Sequence, residues 1–291
     1  MRYRYLFIAN PGAGPRDVDL EPVIGQVLGS SGAWDLRYTQ HPGEAVDFAR
    51  AAREEGYDRV VAAGGDGTVN EVAQGLLDCP LPLGVLPLGS GNAFARSMGV
   101  PRTLPQALTW LLSSSSRPID VGTIDDHVFL STAGLGIDAE VCRRFNSHGH
   151  RRGLWPYIHH SLKAVTACRP LPVDVAVNGQ DARTRLAYLV AIANTPQYGY
   201  GATIAPDARP DDGQLDVCIV EDLTFWRAIV HTRRLFSGSI GQMPGVTLLK
   251  VTQMTLQCHT APHLQIDGES VEGTIEMRVG VRPGALEVLA A

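Results

Sequence analysis

At 291 residues, 44% hydrophobic and 19% charged, the chain has room for two domains or one large one and enough apolar residues for a sizeable core. A formal net charge of −5 argues against a general nucleic-acid binder. Five scattered cysteines without Cys-x-x-Cys spacing read as buried reduced thiols, which suits the cytoplasm, and no run approaches the ~20 apolar residues that span a bilayer.

The apolar run at 3–9 breaks at Asn10-Pro11, too short for the core of a signal peptide, and reads as a first strand. Leu20, Val23, Ile24, Val27 and Leu28 then recur at i, i+3, i+4, i+7 and i+8, the stripe of an amphipathic helix. A strand over 34–39, a helix over 43–55 closed by Gly56, and strands over 59–63 and 83–87 follow. Strand–helix alternation of this kind predicts a parallel sheet with helices on both faces, and ligand loops at the carboxyl ends of its strands. Residues 10–14, Thr39, 64–68 and 89–92 all fall at such ends, which points to one site. The serine run at 113–116 reads as a domain linker or a helix terminus. Beyond it, β-branched runs at 174–177 (before Asn178-Gly179), 186–193, 215–220 and 246–257 predict an antiparallel β domain. Helices are expected near 151–167 and 222–238.

Residues 64–71 read Gly-Gly-Asp-Gly-Thr-Val-Asn-Glu, between a strand and a helical pattern. Glycines at such a turn let the backbone approach a ligand closely, and a helix start offers unpaired N–H groups to an anion. Asp66 inside the turn would repel a polyphosphate unless a divalent cation or a structural hydrogen bond intervenes. The combination points to a nucleoside triphosphate with magnesium. The plainer reading is a tight turn in which Asp66 caps the helix. Residues 86–96 and 8–14 repeat the strand-to-glycine pattern, and no Walker A loop occurs.

Six motifs run in one order: Asn10-Pro11-x-x-Gly14, residues 64–71, residues 86–96, Ala-Gly-Leu-Gly-Ile-Asp-Ala at 133–139, Ala205-Pro206 with Asp212-Gly213-x-Leu215-Asp216-Val217, and Asp267-Gly268-Glu269. In them the chain resembles the diacylglycerol-kinase catalytic family of soluble bacterial lipid kinases, which includes sphingosine and ceramide kinases. The resemblance implies an α/β plus β protein. A Rossmann-like domain akin to NAD kinase and phosphofructokinase would span 1–118, and a β-sandwich 119–280, with a strand at 281–291 returning to the first domain. It implies ATP and Mg2+ as cofactors and a lipid hydroxyl as acceptor. ATP would be held by Asn10, Pro11, Gly12, Ala13, Gly14, Thr39 and Ser90. The glycine turn would add Gly64, Gly65, Asp66, Gly67, Thr68, Val69, Asn70 and Glu71. Glu269 would be the general base, with Asp267 assisting and Asp66 completing the catalytic set. A second, structural magnesium would be bound by the Asp212 carboxylate and the backbone oxygens of Arg209 and Gln214.

The hairpin reading of Asp267-Gly268 stays open beside the catalytic one, because a turn is also a good way to present two carboxylates. From Val141 to Val173 there is no acidic residue, while Arg143, Arg144, Arg151, Arg152, Lys163 and Arg169 are basic, with Phe145, Trp155 and Tyr157 interleaved. That pattern suits either the anionic surface of a membrane or a solvated basic face. The expected partners are a lipid substrate and a membrane visited transiently from the cytoplasm, and a homodimer is compatible with the sequence. Two departures stand out: Ala93 where bacterial diacylglycerol-type relatives carry Asp, as in the sphingosine-kinase version, and Ala13 in place of Ser. The first leaves the lipid headgroup open, and the second removes one hydroxyl from the first loop. NAD kinase shares the Gly-Gly-Asp-Gly-Thr turn and is the nearest enzymatic alternative; a non-catalytic nucleotide- or lipid-binding regulator is the other.

Overall fold

The computed structural model describes residues 3–13, 19–29, 32–147, 168–199, 201–223 and 233–290. The chain forms two compact units: residues 1–119 with 284–291, and residues 120–283.

In the first unit, β1 (Tyr3–Ala9), α1 (Leu20–Leu28), β2 (Gly32–Tyr38), α2 (Glu44–Ala51), β3 (Arg59–Gly64), α3 (Asp66–Leu76) and β4 (Leu83–Pro87) alternate as expected. The strands lie parallel in the order β2-β1-β3-β4, and the end of the last strand joins beyond β4, with Val288 beside Leu83. Leu20, Ile24 and Leu28 carry the buried stripe of α1, whose start is capped by the Asp19 carboxylate accepting the Glu21 N–H. Right-handed crossovers place α1 on one face of the sheet and α2 and α3 on the other. The regular part of α2 ends at Ala51, short of the expected 55, because the Ala52 N–H turns back to the Ala49 carbonyl and tightens the last turn. Two helices follow, α4 (Ala93–Ser97) and α5 (Leu104–Ser113). The serine run is not a free linker: Ser113 and Ser114 close α5, their hydroxyls bonding the Trp110 carbonyl at 3.0 and 2.7 Å, and Ser115 and Ser116 already belong to the next strand.

The second unit is built of antiparallel strands. β5 (Ser115–Ile124), β6 (His127–Phe129), β7 (Thr132–Gly136) and α6 (Ile137–Ser147) open it. β8 (Leu171–Val177) and β9 (Arg183–Ala187) form a hairpin over Asn178-Gly179, both with positive φ. The run expected as one strand at 186–193 is two. β9 pairs with β8, while β10 (Leu189–Ala193) pairs with β7 and with β13 (Leu215–Val220) in another sheet. The run at 246–257 divides in the same way: β14 (Val246–Val251) pairs with β13, and β15 (Gln253–Cys258) with β8 and the last strand. Each break is a corner where the chain passes from one sheet to the other. Apolar residues of both sheets, among them Phe129, Leu135, Val175, Ile192, Leu256 and Met277, bury one another in a common core. β16 (His263–Ile266) and β17 (Glu269–Glu272) complete one sheet beside β7, and β18 (Glu276–Ala290) runs from this unit into the first. Helix α6 was not foreseen, the expected helices at 151–167 and most of 222–238 lie outside the described residues, and residues 233–237 are helical.

Candidate active site

The parallel sheet decides where the glycine loops go. Ala9 is level with Tyr38 and Ala63, and Gly64 with Pro87, so residues following all four strands emerge at one edge. β2 lies on one side of β1 and β3 on the other, which makes the β1/β3 ends a topological switch point where ligands bind. The Asn10 N–H spans that point to the Ala63 carbonyl at 3.2 Å, and the Asn10 side chain accepts the Gly12 N–H at 2.8 Å, shaping the first loop. Thr39 donates its N–H to the Ala9 carbonyl at 2.9 Å. Asn10, Pro11 and Gly12 are exposed, Ala13 is half-buried, and Gly14 lies outside the described residues.

The second and third loops are locked to each other. A Cβ on Gly64 would lie 2.5 Å from Thr68 Cβ, and one on Gly89 would lie 2.6 Å from the Gly65 Cα. Only glycine permits both approaches. Gly65 is the N-cap of α3 and offers no side-chain cap, so Gly65, Asp66 and Gly67 present helix-start amides. Asp66 is the first helical residue. Its carboxylate accepts the Phe94 N–H at 3.2 Å, tying the loop at 88–92 to the start of α3. The structural hydrogen bond that an acidic residue needs in such a turn is thus present. Asn92, in the left-handed region, closes the third loop by donating to the Gly89 carbonyl at 2.7 Å. Ser90 is exposed and Glu71 half-buried; Thr68, Val69 and Asn70 are buried along α3. Ala93 is buried at the start of α4.

The carboxylate turn belongs to the second unit. Asp267 and Gly268 have φ of +46° and +89°, the hairpin turn between β16 and β17. Asp267 is 8% exposed, and its carboxylate accepts the N–H groups of Leu130, Ser131 and Thr132 at 2.8, 2.8 and 3.0 Å. The Asp267 N–H returns to the Thr132 carbonyl at 2.8 Å. Gln265, 2% exposed, adds a clamp between the Gly268 N–H and the Thr132 hydroxyl. Asp267 is therefore an anchor, and Glu269, next along β17, is exposed. Asp138, at the start of α6, is buried, which pushes its carboxyl up to about 7 against hydrogen bonds from the Ala139 N–H and the Tyr198 hydroxyl. Burial likewise pushes the Cys142 and Cys218 thiols up to about 12, so they stay protonated, and all five cysteines are free.

At the third turn, Asp212 accepts the Gln214 N–H at 3.0 Å and the Lys250 ammonium at 2.9 Å, and Lys250 also reaches Asp216 at 2.9 Å. Asp120 holds the same turn through the Gly213 N–H at 2.6 Å. Arg209 lies 3.7 Å from Asp211. Among the described residues no cluster of three His, Cys, Asp or Glu side chains is arranged to hold a metal. Of the basic stretch, Arg143 is paired with Glu140 at 2.8 Å, while Arg151, Arg152, Trp155, Tyr157 and Lys163 lie outside the described residues.

The diacylglycerol kinase catalytic domain matches residues 4–124, and the YegS C-terminal NAD kinase beta sandwich-like domain matches 131–290. A protein of Chromohalobacter salexigens described as "Probable lipid kinase YegS-like" is 31% identical over 273 residues, 92% of this chain and 87% of that one. The chain belongs to the diacylglycerol kinase catalytic-domain family. A diacylglycerol kinase of Bacillus subtilis is 29% identical over 232 residues, covering 78% of this chain and 76% of its own. The crystal structure of a diacylglycerol kinase from Bacillus anthracis covers 99% of this chain and 97% of its own at a TM-score of 0.76 and 21% identity, a likeness of fold. No helix among the described residues of this kinase-family chain is long and apolar enough to cross a membrane.

Sequence reasoning missed several polar residues that build the family's carboxylate turn here. Asn194 is fully buried and donates to the carbonyls of Asp120 and Leu130, both at 2.9 Å. Asp120 and Gln265 were missed as well. A signal was available: Asn194-Thr195 directly follows the apolar run Leu189–Ala193, and a polar pair there has to be satisfied somewhere.

Proposed function

We propose that the chain is an ATP-dependent lipid kinase that transfers the γ-phosphoryl group to the hydroxyl of a diacylglycerol-like or related lipid, with Mg2+. The observation that carries this reading is the gathering of four loops at the carboxyl edge of one parallel sheet, with α3 starting there. Backbone amides at 64–67 would receive phosphate oxygens, and the Asn10 loop, Thr39 and Ser90 would line the nucleotide. The acceptor oxygen bonds to the γ-phosphorus as the bond to the β–γ bridging oxygen breaks, ADP leaves, and the hydroxyl proton passes to the Glu269 carboxylate. Glu269 is exposed and adjoins a turn anchored by three backbone bonds, as a base that must meet an external hydroxyl requires. Asp267, occupied by those bonds, would assist by positioning.

The Asp212 turn suits a structural Mg2+ in donor chemistry, since its carboxylate and the Arg209 and Gln214 carbonyls are all hard oxygens, and the cation would displace the Lys250 ammonium from Asp212. A cation there would stiffen the turn. The lipid substrate implies a visit to a membrane surface, for which the basic stretch from Arg143 to Arg169 is the proposed contact.

The test is ATP consumption across diacylglycerol, monoacylglycerol, sphingosine, ceramide and NAD, the lipids presented in vesicles with and without anionic lipid. Turnover confined to lipid acceptors, rising with anionic lipid and fading with salt, is expected. Turnover with NAD alone, or none with any acceptor, would reject the reading. The double change Arg151→Glu and Arg152→Glu should weaken vesicle binding, and equal sedimentation of the wild type and the double variant with anionic vesicles at low salt would reject the membrane contact.

A further inference from the structure

Behind the Asp267 turn, three buried oxygens share one neighbourhood. Ser131, Asn194 and Thr195 are 1%, 0% and 0% exposed. The N–H groups of Asn194 and Thr195 both donate to the Ser131 carbonyl, at 2.9 and 3.2 Å. The Asn194 amide nitrogen donates to Asp120 and Leu130, which settles its orientation and leaves Oδ1 as an acceptor. Yet Ser131 Oγ, Asn194 Oδ1 and Thr195 Oγ1 have no hydrogen-bond partner among the described residues. Buried polar atoms are rarely left so, because each unpaired one costs stability.

We propose that these three side chains enclose a binding site for a buried water molecule, and that this water helps to hold the Asp267-Gly268 turn in place. A bridging water spans about 5–6 Å between partners, two hydrogen bonds end to end. The bonds from the Asn194 and Thr195 N–H groups to the Ser131 carbonyl, and from the Asn194 amide to the Leu130 carbonyl, hold these residues side by side. Asn194 Oδ1 calls for a donor, and the two hydroxyls can give or accept, which matches a molecule with two of each. An acceptor lipid could not fill the place, since all three atoms are shut off from the surface. The consequence runs through Ser131. It is the middle residue of the 130–132 segment whose N–H groups grip Asp267, so a water bonded to its side chain stiffens the grip. Ser131, Asn194 and Thr195 are thereby positioning residues for Glu269.

The test is the pair Thr195→Val and Ser131→Ala, with Thr195→Ser as the conservative control, read by melting temperature and by kcat and KM for ATP. If the hydroxyls are bonded to a water, each removal lowers Tm by roughly 2–4 °C, the shift that follows loss of one hydrogen bond in a chain of this size. If they are unbonded, replacing them with apolar groups leaves Tm unchanged or raises it, and that result overturns the site. In the kinetic arm, Thr195→Val should lower kcat on the order of tenfold, as small misplacements do, with KM for ATP unchanged and kcat restored by Thr195→Ser. An unchanged kcat in Thr195→Val, or no restoration by Thr195→Ser, overturns the positioning role. The kinetic arm rests on the function proposed above and the thermal arm does not. A chain inactive with every acceptor but with lowered Tm in both variants supports the water site and counts only against the kinase reading.

Discussion

Asp66 and Asp267 are both acidic residues in glycine turns, yet their surroundings assign them different work. The Asp66 carboxylate accepts the Phe94 N–H and remains at the start of α3, where a nucleotide-borne cation would meet it. Asp66→Asn keeps the acceptor for Phe94 and removes the charge. Turnover should fall on the order of a hundredfold, the cost of losing one preorganised charged contact, with Tm nearly unchanged. Wild-type turnover in that variant would leave Asp66 a structural tie only. Asp267→Ala would strand three N–H groups, a loss of at least about 3 kcal/mol. By contrast, Glu269→Gln should lower turnover by roughly two to four orders of magnitude without lowering Tm or ATP affinity. A fully active Glu269→Gln enzyme would place the base elsewhere. The third case is Asp138. Its carboxyl is raised to about 7 in the fold by burial and ionises near pH 4 when unfolded. Between those values the folded state binds the extra proton, so stability declines as pH rises from about 4 to about 7 and then levels off. The decline is on the order of 4 kcal/mol. Asp138→Asn should therefore gain stability over the wild type at pH 8 and little at pH 4.5, as thermal melts at the two values would show. An equal difference at both would mean that Asp138 does not titrate in this window.

Among elements, the helix α3 shows how one residue fits a site to its scaffold. A Cβ on Gly75 would lie 2.5 Å from the Val46 carbonyl and 2.6 Å from Ala49 Cβ, so the glycine lets α3 settle against α2 while its other end presents the glycine turn at 64–67. Gly75→Ala gains helix propensity of about 1 kcal/mol but overpacks a backbone contact, and a net loss of about 1–2 kcal/mol in chemical denaturation is expected. A stabilised variant would mean that the two helices can separate without cost. Elements with strong periodicity were legible: the α1 stripe, the four parallel strands and the Asn178-Gly179 hairpin all follow from residue pattern and turn chemistry. The splits at Tyr188 and Thr252 were not. Apolar or β-branched residues continue through both, and only partners reveal the corner: the Tyr188 N–H goes to Val220, and the Thr252 N–H to the Asn178 side chain. Helix α6 was missed for a similar reason, since its buried Val141 is matched by polar residues on the remaining turns and lies in a stretch dominated by its charges.

For the molecule as a whole, β18 is the element that most depends on context. Met277 and Val279 belong to the core of the second unit, while Leu286, Val288 and Leu289 are buried in the first. Burial of those three side chains contributes about 5–8 kcal/mol, comparable to the whole stability of a typical domain. A chain ending at Pro283 should therefore lose the folded first unit, seen as rapid proteolysis of residues 1–119 and loss of ATP binding. Resistance equal to the full chain would show that the strand is dispensable. By itself the sequence determined the alternating layers, the shared edge for the glycine loops and the family, because periodicity, glycine placement and turn residues are local properties that act wherever the segment lies. The tertiary structure alone decided that Asp267 grips residues 130–132, that Asp66 ties down the loop before α4, and that Asn194 joins Asp120 to Leu130. Those bonds link residues 28 to 137 positions apart. Their partners are chosen by strand pairing and sheet packing, and no local pattern carries that information.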